Sequence, residues 1–380
     1  MGYPLAGIRV LGMEAAVAGP FATRHLADLG ADVIKVERPE GDFARRYDTA
    51  VQGLSAYFVW LNRNKRSIAL DWAQSRDREA LDRLLERADV LVHNLGPGAM
   101  ERLGLGPKQL SDKYPRLIHA GISGYGSGGP FDTKKSFDLL IQGESGVISL
   151  TGTPDQPCKV GVSIADVAAG MYTFNSVLAA LLERHKTGKG ASIEISMLEC
   201  MTELSAAQLY IYDCSGVQLE RAGMRHNIIV PYGPYRCGGG KFVNLAVQNE
   251  GQWERLCGIV LRRPDIATDP LYDTNARRLA NRSTLEPLIE ALLEQLAEDE
   301  VLRRLEAADV PYGRLNDMQA VVEHPQLEAR GRWANYGSEA GPLRMLQHPM
   351  NIDGLPQRTD PIPAIGEHTE EILREIGLDE

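Results

Sequence analysis

The residue best suited to chemistry is Asp166, which precedes a run of small residues. Residues 163–166, SIAD, have the spacing of a helix capping box, with aspartate in place of the usual glutamate. The carboxylate is therefore either a structural cap or a reactive group at a helix N-terminus, where the dipole stabilises its charge by about 0.3 to 1 kcal/mol. A carboxylate with an ordinary pKa of about 4 is ionised at neutral pH and can attack an acyl group without an activating base.

Two glycine-containing segments follow predicted strands. GYGSGG at 124–129 fits the GxGxxG pattern, but Pro130 and FDTKK replace the helix that should receive a pyrophosphate. We therefore expect no nicotinamide or flavin site there, and the segment is either an active-site loop or a surface turn. Near the first strand, Gly19 and Pro20 begin a helix whose N-terminus either holds an anion or only packs on the sheet.

Four cations lie near expected strand ends or turns, at Arg38, Arg102, Lys134 and Lys135. Phosphate-bearing ligands bind at the carboxyl ends of strands in open α/β sheets, so this placement suits them. Each cation alone is also typical of solvated surface.

The elements that would position these residues alternate between strands and helices. Short β-branched runs at 8–11, 33–36, 90–92 and 117–122 predict strands, and helical spacing follows at 80–88. This alternation predicts an α/β fold with a parallel sheet. Residues 166–183 predict a helix that ends near Gly188, and 191–196 predict a further strand.

The pattern changes near residue 222, where a smaller domain is predicted. Residues 231–247 predict a hairpin, helices follow around 285–305, and the tail after about 335 is rich in proline and glycine until a short helix at 370–376. We assign 1–221 to the N-terminal part of a large domain, 222–325 to a small domain, and 326–380 to a segment that returns to the large one.

Bulk composition excludes several classes of protein. The 380 residues carry a net charge of −10 without a long basic run, so no nucleic-acid partner is expected. Five dispersed cysteines predict free thiols, and without HExxH or a Cys/His cluster no metal is expected. With neither a signal peptide nor an uncharged run of about 20 residues, we expect a cytoplasmic protein without a membrane partner.

Six blocks in a fixed order resemble the family III CoA-transferases, which include formyl-CoA transferase, carnitine CoA-transferase and the α-methylacyl-CoA racemases. The blocks are AGPFATRHLADLGADVIKVERPEGDFAR (18–45), LNRNKRSIALD (61–71), DVLVHNLGPGAMERLGLG (89–106), SFDLLIQGESGVISLTG (136–152), SIADVAAGMY (163–172) and RHKTGKGASIEISMLE (184–199). The resemblance implies a large doubly wound, Rossmann-like domain built from both chain ends, a smaller α+β domain, and a homodimer of two interlocked chains.

The resemblance also implies site residues. The nucleophile is Asp166, and the positions that contact CoA are Ala18, Arg38, Leu70, Asn94, Leu95, Arg102 and Lys135. Two positions depart from formyl-CoA transferase, where Val17 replaces a glutamine and Ala73 replaces a lysine.

The implied activity is transfer of CoA from an acyl-CoA, with succinyl-CoA as a candidate donor, to a free carboxylic acid through an aspartyl anhydride and an aspartyl-CoA thioester. CoA is then a substrate, and no tightly bound cofactor is expected. The alternatives are an acyl-CoA racemase, an intramolecular CoA-shuttling isomerase and a non-catalytic CoA-binding homologue. Phe137 replaces the histidine that racemases place before Asp138, which disfavours racemisation. Arg225 and His226 are candidate contacts for the acceptor carboxylate, and glycines of 124–129 and amides at the start of the Asp166 helix are candidate oxyanion donors.

Overall fold

The computed structural model describes residues 2–72 and 74–378. It contains two compact units: the first comprises segments 1–147, 160–209 and 326–380, and the second comprises 148–159 and 210–325. Residues 148–159 and 210–221 thus belong to the second unit, whereas the sequence pattern had placed them in the large domain. Ala73, one of the two departures from formyl-CoA transferase, lies outside the described residues.

A six-stranded parallel sheet organises the first unit. Its strands are β1 (Arg9–Met13), β2 (Asp32–Glu37), β3 (Lys65–Ala69), β4 (Val90–His93), β5 (Ile118–Ser123) and β6 (Ser192–Ser196). Their order is β3-β2-β1-β4-β5-β6, which is that of a doubly wound fold with its switch point between β1 and β4. The predicted α/β fold with a parallel sheet is confirmed.

Both faces of this sheet are buried, because side chains alternate between two hydrophobic clusters. Leu11, Ile34 and Leu91 lie in one cluster, and their neighbours Val10 and Val33 lie in the other. Burial on both faces explains why these strands are continuous apolar runs in the sequence. Each strand directs its carboxyl end to the same edge of the sheet.

Helices cover the sheet and also occur in the second unit. Their bounds are α1 Ala18–Asp28, α2 Ala56–Asn62, α3 Ser75–Glu86, α4 Ala99–Arg102, α5 Pro107–Lys113, α6 Asp138–Glu144, α7 Ile164–Thr187, α8 Met197–Leu204, α9 Ala206–Ser215, α10 Glu250–Arg255, α11 Pro264–Ala267, α12 Asn275–Ala280, α13 Arg282–Leu293, α14 Glu298–Ala307, α15 Met318–Val322, α16 Pro325–Ala329 and α17 Thr369–Glu375.

The longest helix, α7, packs closely on α1. A Cβ atom at Gly170 would lie 2.8 Å from the backbone oxygen of Ala18, so only glycine allows this approach. Within the described residues α7 is the one helix whose length and composition would suit a membrane span, a test that core helices of soluble proteins also pass. Its contacts with α1 and with β5 and β6 are those of a core helix.

The second unit contains an antiparallel sheet of β7 (Tyr232–Arg236), β8 (Phe242–Ala246) and β9 (Tyr312–Arg314). The predicted hairpin at 231–247 corresponds to β7 and β8. Buried apolar side chains such as Trp253, Leu285 and Leu305 form the core of this unit. In the first unit, a further antiparallel pair, β10 (Trp333–Tyr336) and β11 (Leu343–Leu346), lies in the segment after residue 326.

Candidate active site

Asp166 lies in the first turn of α7, half-buried. Ser163 is the N-cap residue of this helix, but its side chain makes no capping hydrogen bond. The capping-box interpretation of residues 163–166 is therefore wrong, and the Asp166 carboxylate remains available for another role.

The cap of α7 comes instead from Asp138 at the start of α6. One carboxylate oxygen of Asp138 accepts a hydrogen bond from the Ala165 backbone N–H at 2.8 Å, and the other accepts one from Gln142 Nε2 at 2.7 Å. Gln142 Oε1 in turn accepts a hydrogen bond from the Val160 N–H at 2.9 Å. The sequence analysis considered this block only for its missing histidine and did not identify Asp138 or Gln142 as site residues.

The environment of Asp166 favours its protonated form. Burial, followed by the charge of Asp138, raises the pKa of Asp166 to about 7. The expectation of a carboxyl group fully ionised at neutral pH is therefore wrong, because burial of the side chain cannot be read from local residue types. A strongly perturbed pKa beside a second carboxylate is typical of functional sites.

The loop between β1 and α1 lies next to the start of α7, since Val17 and Val167 pack in one hydrophobic cluster. The Asn94 side chain fixes this loop across the switch point: it accepts a hydrogen bond from the Ala15 N–H at 2.9 Å and donates one to the Ala15 oxygen at 2.7 Å. Ala16 adopts a left-handed conformation with φ 60°. The first turn of α1 is thereby held beside the turn that carries Asp166.

Buried ion pairs and a hydrogen bond to Ala16 also fix the β1–α1 loop. Lys35 Nζ lies 2.9 Å from Asp42 Oδ2, and Lys65 Nζ lies 2.8 Å from Glu14 Oε1, with all four side chains fully buried. Asp42 also accepts a hydrogen bond from the Ala16 N–H at 3.2 Å. Removing one partner of such a pair leaves an uncompensated buried charge, so the network fixes the loop strongly.

The expected CoA-binding residues of the first four strands lie at the carboxyl edge of the sheet. Arg38 follows β2, and its guanidinium lies 5.2 Å from the centre of the Trp72 ring. Leu70 follows β3 and is buried in the hydrophobic cluster against which Trp72 and Leu95 pack. Trp72 was not predicted as a site residue, although an aromatic ring beside an arginine at a strand end suits a nucleotide base.

The remaining expected CoA residues are placed as follows. Ala18 is the first residue of α1 and is buried. Arg102 ends α4 and donates a hydrogen bond to the Pro97 oxygen at 3.4 Å. Lys135 is exposed between β5 and α6. Contact of these residues with CoA stays a prediction.

Residues 5–369 match the model of CoA-transferase family III. The chain belongs to this family. A succinate–glutarate CoA-transferase from Agrobacterium fabrum is 35% identical to it, over 98% of this chain and 96% of the relative. An acetyl-CoA:oxalate CoA-transferase from Acetobacter aceti is 33% identical, over 99% and 97%. The crystal structure of a CAIB/BAIF family protein from Brucella suis has a TM-score of 0.86 and 34% identity, over 99% of this chain and 100% of that one.

These matches confirm the family resemblance and show that the chain is an enzyme of the transferase class, a CoA-transferase. Because they extend over nearly the whole chain, they cover the sheet, α6 and α7 together. The acyl groups named for the relatives belong to those proteins.

The structure limits two expectations for this family III CoA-transferase. Two of the N–H groups at the start of α7, those of Ile164 and Ala165, already donate to the Val162 oxygen at 2.8 Å and to Asp138, whereas the glycines of 124–129 stay candidate oxyanion donors. Arg225 is not free to bind an acceptor carboxylate, because its guanidinium is paired with Glu286 at 2.7 Å and Glu290 at 2.6 Å. Local sequence could not show these partners, since Arg225 and Glu286 are 61 residues apart.

Within the second unit, His226 retains a hydrogen-bonding edge. Its Nδ1 accepts hydrogen bonds from the Ile228 and Ile229 N–H groups at 3.2 and 3.1 Å, and its ring stacks on Tyr232 with centroids 5.2 Å apart. Burial lowers the pKa of His226, which favours the neutral imidazole. Since Nδ1 accepts, Nε2 carries the proton and can donate.

Three aromatic side chains that were not predicted as site residues, Tyr47, Tyr57 and Trp60, contact one another in the first unit. Burial raises the pKa of Tyr47, and the charges of Asp42 and Asp166 raise it further. The Tyr47 ring contacts Tyr57 with centroids 5.7 Å apart, and Tyr57 contacts Trp60 at 6.2 Å. These rings supply an apolar surface suited to an acyl chain.

A second buried cluster has ligand types suited to a metal. His25, Asp28 and His348 offer ligand atoms within 4.8 Å of one another. The guanidinium of Arg63 pairs with Asp28 at 2.7 Å, and that of Arg24 lies 3.0 Å from His25 Nε2. Two cations in contact with the would-be ligands oppose a metal ion, so the cluster is better explained as a structural link between α1 and the C-terminal segment.

Proposed function

We propose that this enzyme moves CoA from an acyl-CoA thioester to a free dicarboxylic acid, with the Asp166 carboxylate as nucleophile. The observation that carries the proposal is the half-buried Asp166, whose pKa is raised to about 7 and which lies in the first turn of α7 beside the β1–α1 loop. Its carboxylate makes none of the capping contacts that would occupy it, and perturbed groups of this kind are typical of catalytic sites.

The chemistry proceeds by exchange at carbonyl carbon. The Asp166 carboxylate attacks the thioester, the C–S bond breaks, and CoA thiolate leaves an acyl-aspartyl anhydride. The thiolate then attacks the aspartyl carbonyl and releases the donor acid, giving an aspartyl-CoA thioester. The acceptor carboxylate attacks this thioester and expels thiolate, which attacks the acceptor carbonyl and regenerates the free carboxylate. No proton is consumed overall, so positioning and oxyanion stabilisation are the enzyme's main tasks.

For the substrates we propose succinyl-CoA as donor and a dicarboxylate of the size of glutarate as acceptor. The relative from Agrobacterium fabrum is named for succinate and glutarate. In the second unit Arg225 is neutralised by two glutamates, and contact of His226 with the acceptor carboxylate stays a prediction. Oxalate is less favoured, because GGGK at 238–241 does not reproduce the four-glycine lid of formyl-CoA transferase.

The test is Asp166→Asn, which is nearly isosteric but too weak a nucleophile to form the anhydride. We expect transfer to fall by several orders of magnitude while CoA binding is kept. Glu183→Gln, an exposed acid on the same helix, is the matched control and should transfer at the wild-type rate. Wild-type enzyme incubated with donor and hydroxylamine should carry a hydroxamate at residue 166 by peptide mass spectrometry. An active Asn variant would refute the mechanism.

A separate assay addresses the racemase and isomerase alternatives. Incubation of acyl-CoA in deuterium oxide would show exchange at the α-carbon if the enzyme moved that proton, and we expect none. Transfer of labelled CoA between two different acids should instead be observed. The reverse result would replace the transfer mechanism by an isomerase mechanism.

We propose that the enzyme is an interlocked homodimer. In the first unit, several large apolar side chains of α6 to α9 are exposed, and clusters of this kind on a monomer mark interaction surfaces. They include Leu139, Leu140, Met171, Leu204 and Leu209. A second copy of the chain would cover them. Sedimentation at nanomolar concentration should show a dimer that persists, because threaded chains separate only by unfolding in part. The cytoplasmic location stays a prediction.

A further inference from the structure

Gln142 is a buried amide whose two polar ends have different partners. Its side chain is fully buried, Nε2 donates to Asp138 Oδ2 at 2.7 Å, and Oε1 accepts from the Val160 N–H at 2.9 Å. A rotation of the amide by 180° would direct Nε2 at a backbone N–H and Oε1 at a carboxylate, so both contacts would become repulsive. The orientation of Gln142 is therefore fixed by its neighbours.

Asp138 and Gln142 fix the two ends of residues 160–165. Asp138 Oδ1 accepts a hydrogen bond from the Ala165 N–H at 2.8 Å, and Gln142 Oε1 accepts one from the Val160 N–H. Helix α6 therefore anchors this segment at both ends. This segment leads directly into Asp166. A shift of about 1 Å in a reacting group costs on the order of 10²-fold in rate, so this anchoring has a direct bearing on catalysis.

We propose that Asp138 and Gln142 form a hydrogen-bonded relay from α6 that positions the Asp166 nucleophile and keeps a negative charge beside it. Asp138 and Gln142 act through Asp166 and are therefore positioning residues. The inference rests on the proposed role of Asp166.

The relay requires a carboxylate at position 138. Both oxygens of Asp138 face donors, Ala165 N–H and Gln142 Nε2. An asparagine would place its own NH₂ group against one of these donors in either orientation, and a buried donor without an acceptor is costly. The same carboxylate opposes ionisation of Asp166, since its charge is the second cause, after burial, of the raised pKa.

The pattern of donors and acceptors can be restored with the charge moved. In Asp138→Asn/Gln142→Glu, the new asparagine oxygen accepts from the Ala165 N–H and its NH₂ donates to the new glutamate. The other glutamate oxygen accepts from the Val160 N–H. Each single variant, in contrast, opposes two donors or two acceptors. The double variant therefore separates the effect of the hydrogen bonds to residues 160–165 from the effect of a negative charge at position 138.

The experiment measures kcat and KM for transfer, and the pH dependence of kcat/KM, in both single variants and the double variant. We expect Asp138→Asn and Gln142→Glu to lower kcat by on the order of 10²-fold with a smaller change in KM, because the nucleophile is misplaced while CoA binding is kept. The double variant should recover most of kcat. The charge then lies on a side chain that contacts residues 160 and 162 rather than Ala165, so the midpoint of the pH profile should lie below the wild-type midpoint.

Several results would overturn the relay. A folded Asp138→Asn with wild-type kcat would do so, as would a folded double variant no faster than the slower single variant. If the single variants fail to fold, the kcat and pH midpoint of the double variant still decide, because it keeps acceptors for the Ala165 and Val160 N–H groups and loses only the long contact of residue 142 with the Val162 oxygen at 3.5 Å. Asp166→Asn measured in parallel separates the two proposals: an active Asn variant refutes the nucleophile, whereas an inactive one together with an unimpaired Asp138→Asn refutes only the relay.

Discussion

The pH dependence of transfer follows from the pKa of Asp166, which burial and Asp138 raise to about 7. In the proposed mechanism only the carboxylate attacks, so the active fraction is about one tenth at pH 6, about half at pH 7 and about nine tenths at pH 8. We expect kcat/KM, which reports the free enzyme, to fall about tenfold per pH unit below pH 6 and to be level above pH 8.

The assay is initial-rate transfer between an acyl-CoA and a free acid from pH 5 to pH 9 at constant ionic strength. Both substrates must have pKa values outside the range, so a donor and an acceptor whose carboxyl groups titrate below about pH 5 are required. A flat profile over this range, as expected if Asp166 kept the ordinary aspartate value of 3.8, would refute the environment described for Asp166.

Stability offers an independent check on the pKa of Asp166, because ionisation of this group should raise the rate of transfer but lower the free energy of unfolding. The folded pKa of Asp166 lies above its unfolded value of 3.8, so ionisation at this site opposes folding. The penalty is absent below about pH 3.8, grows between there and pH 7, and is complete above that. Asp166→Asn removes it, so the variant should melt above the wild type at pH 8. The difference should vanish near pH 3.5. A variant less stable than the wild type at pH 8 would contradict the raised pKa.

Three further substitutions test the packing of the fold and the predicted CoA contact at the carboxyl edge of the sheet. Asp28→Ala leaves the buried Arg63 guanidinium without its carboxylate and should lower the free energy of unfolding by about 3 to 5 kcal/mol in urea titrations. Gly170→Ala places a Cβ 2.8 Å from a backbone oxygen of α1 and should cost about 1 to 3 kcal/mol, whereas Gly143→Ala, with no atom within 4 Å, should be neutral or stabilising. Arg38→Ala should weaken CoA binding by about 1 to 3 kcal/mol in calorimetry, and unchanged affinity would mean that CoA lies elsewhere.

The strands that sequence could predict are those whose burial leaves a continuous apolar pattern. β3 was not among the strands identified from its own residues, because Lys65 and Arg66 interrupt the pattern. Lys65 is nevertheless buried, since Glu14, 51 residues away, neutralises it. β10 and β11 were also not predicted. They pair only with each other, and they lie in a segment rich in proline and glycine, which indicated loop rather than strand.

In the candidate site, too, the residues in continuous motifs were predicted and the contacts between distant segments were not. Asp166 was predicted because its family motif is continuous in sequence, and the carboxyl edge of the sheet was predicted because strand ends are local features. Asp138 was not predicted as its partner, since the two elements that carry them meet only when α6 packs on α7, and the contact to Ala165 spans 27 residues. Arg225 shows the converse error, in which a cation that is free in sequence has two carboxylate partners in space.

The capping box illustrates why a local motif does not fix the role of its residues. SIAD can cap a helix only if its own side chains turn back to the backbone N–H groups, and here the Ser163 side chain makes no such bond while a carboxylate from another helix accepts the Ala165 N–H. The capping requirement of α7 is thus met by Asp138. Asp166 is left half-buried, beside a like charge and without the hydrogen bonds of a cap, and these are the conditions that raise its pKa. The same contact that stabilises the helix therefore keeps the carboxylate of the proposed nucleophile basic.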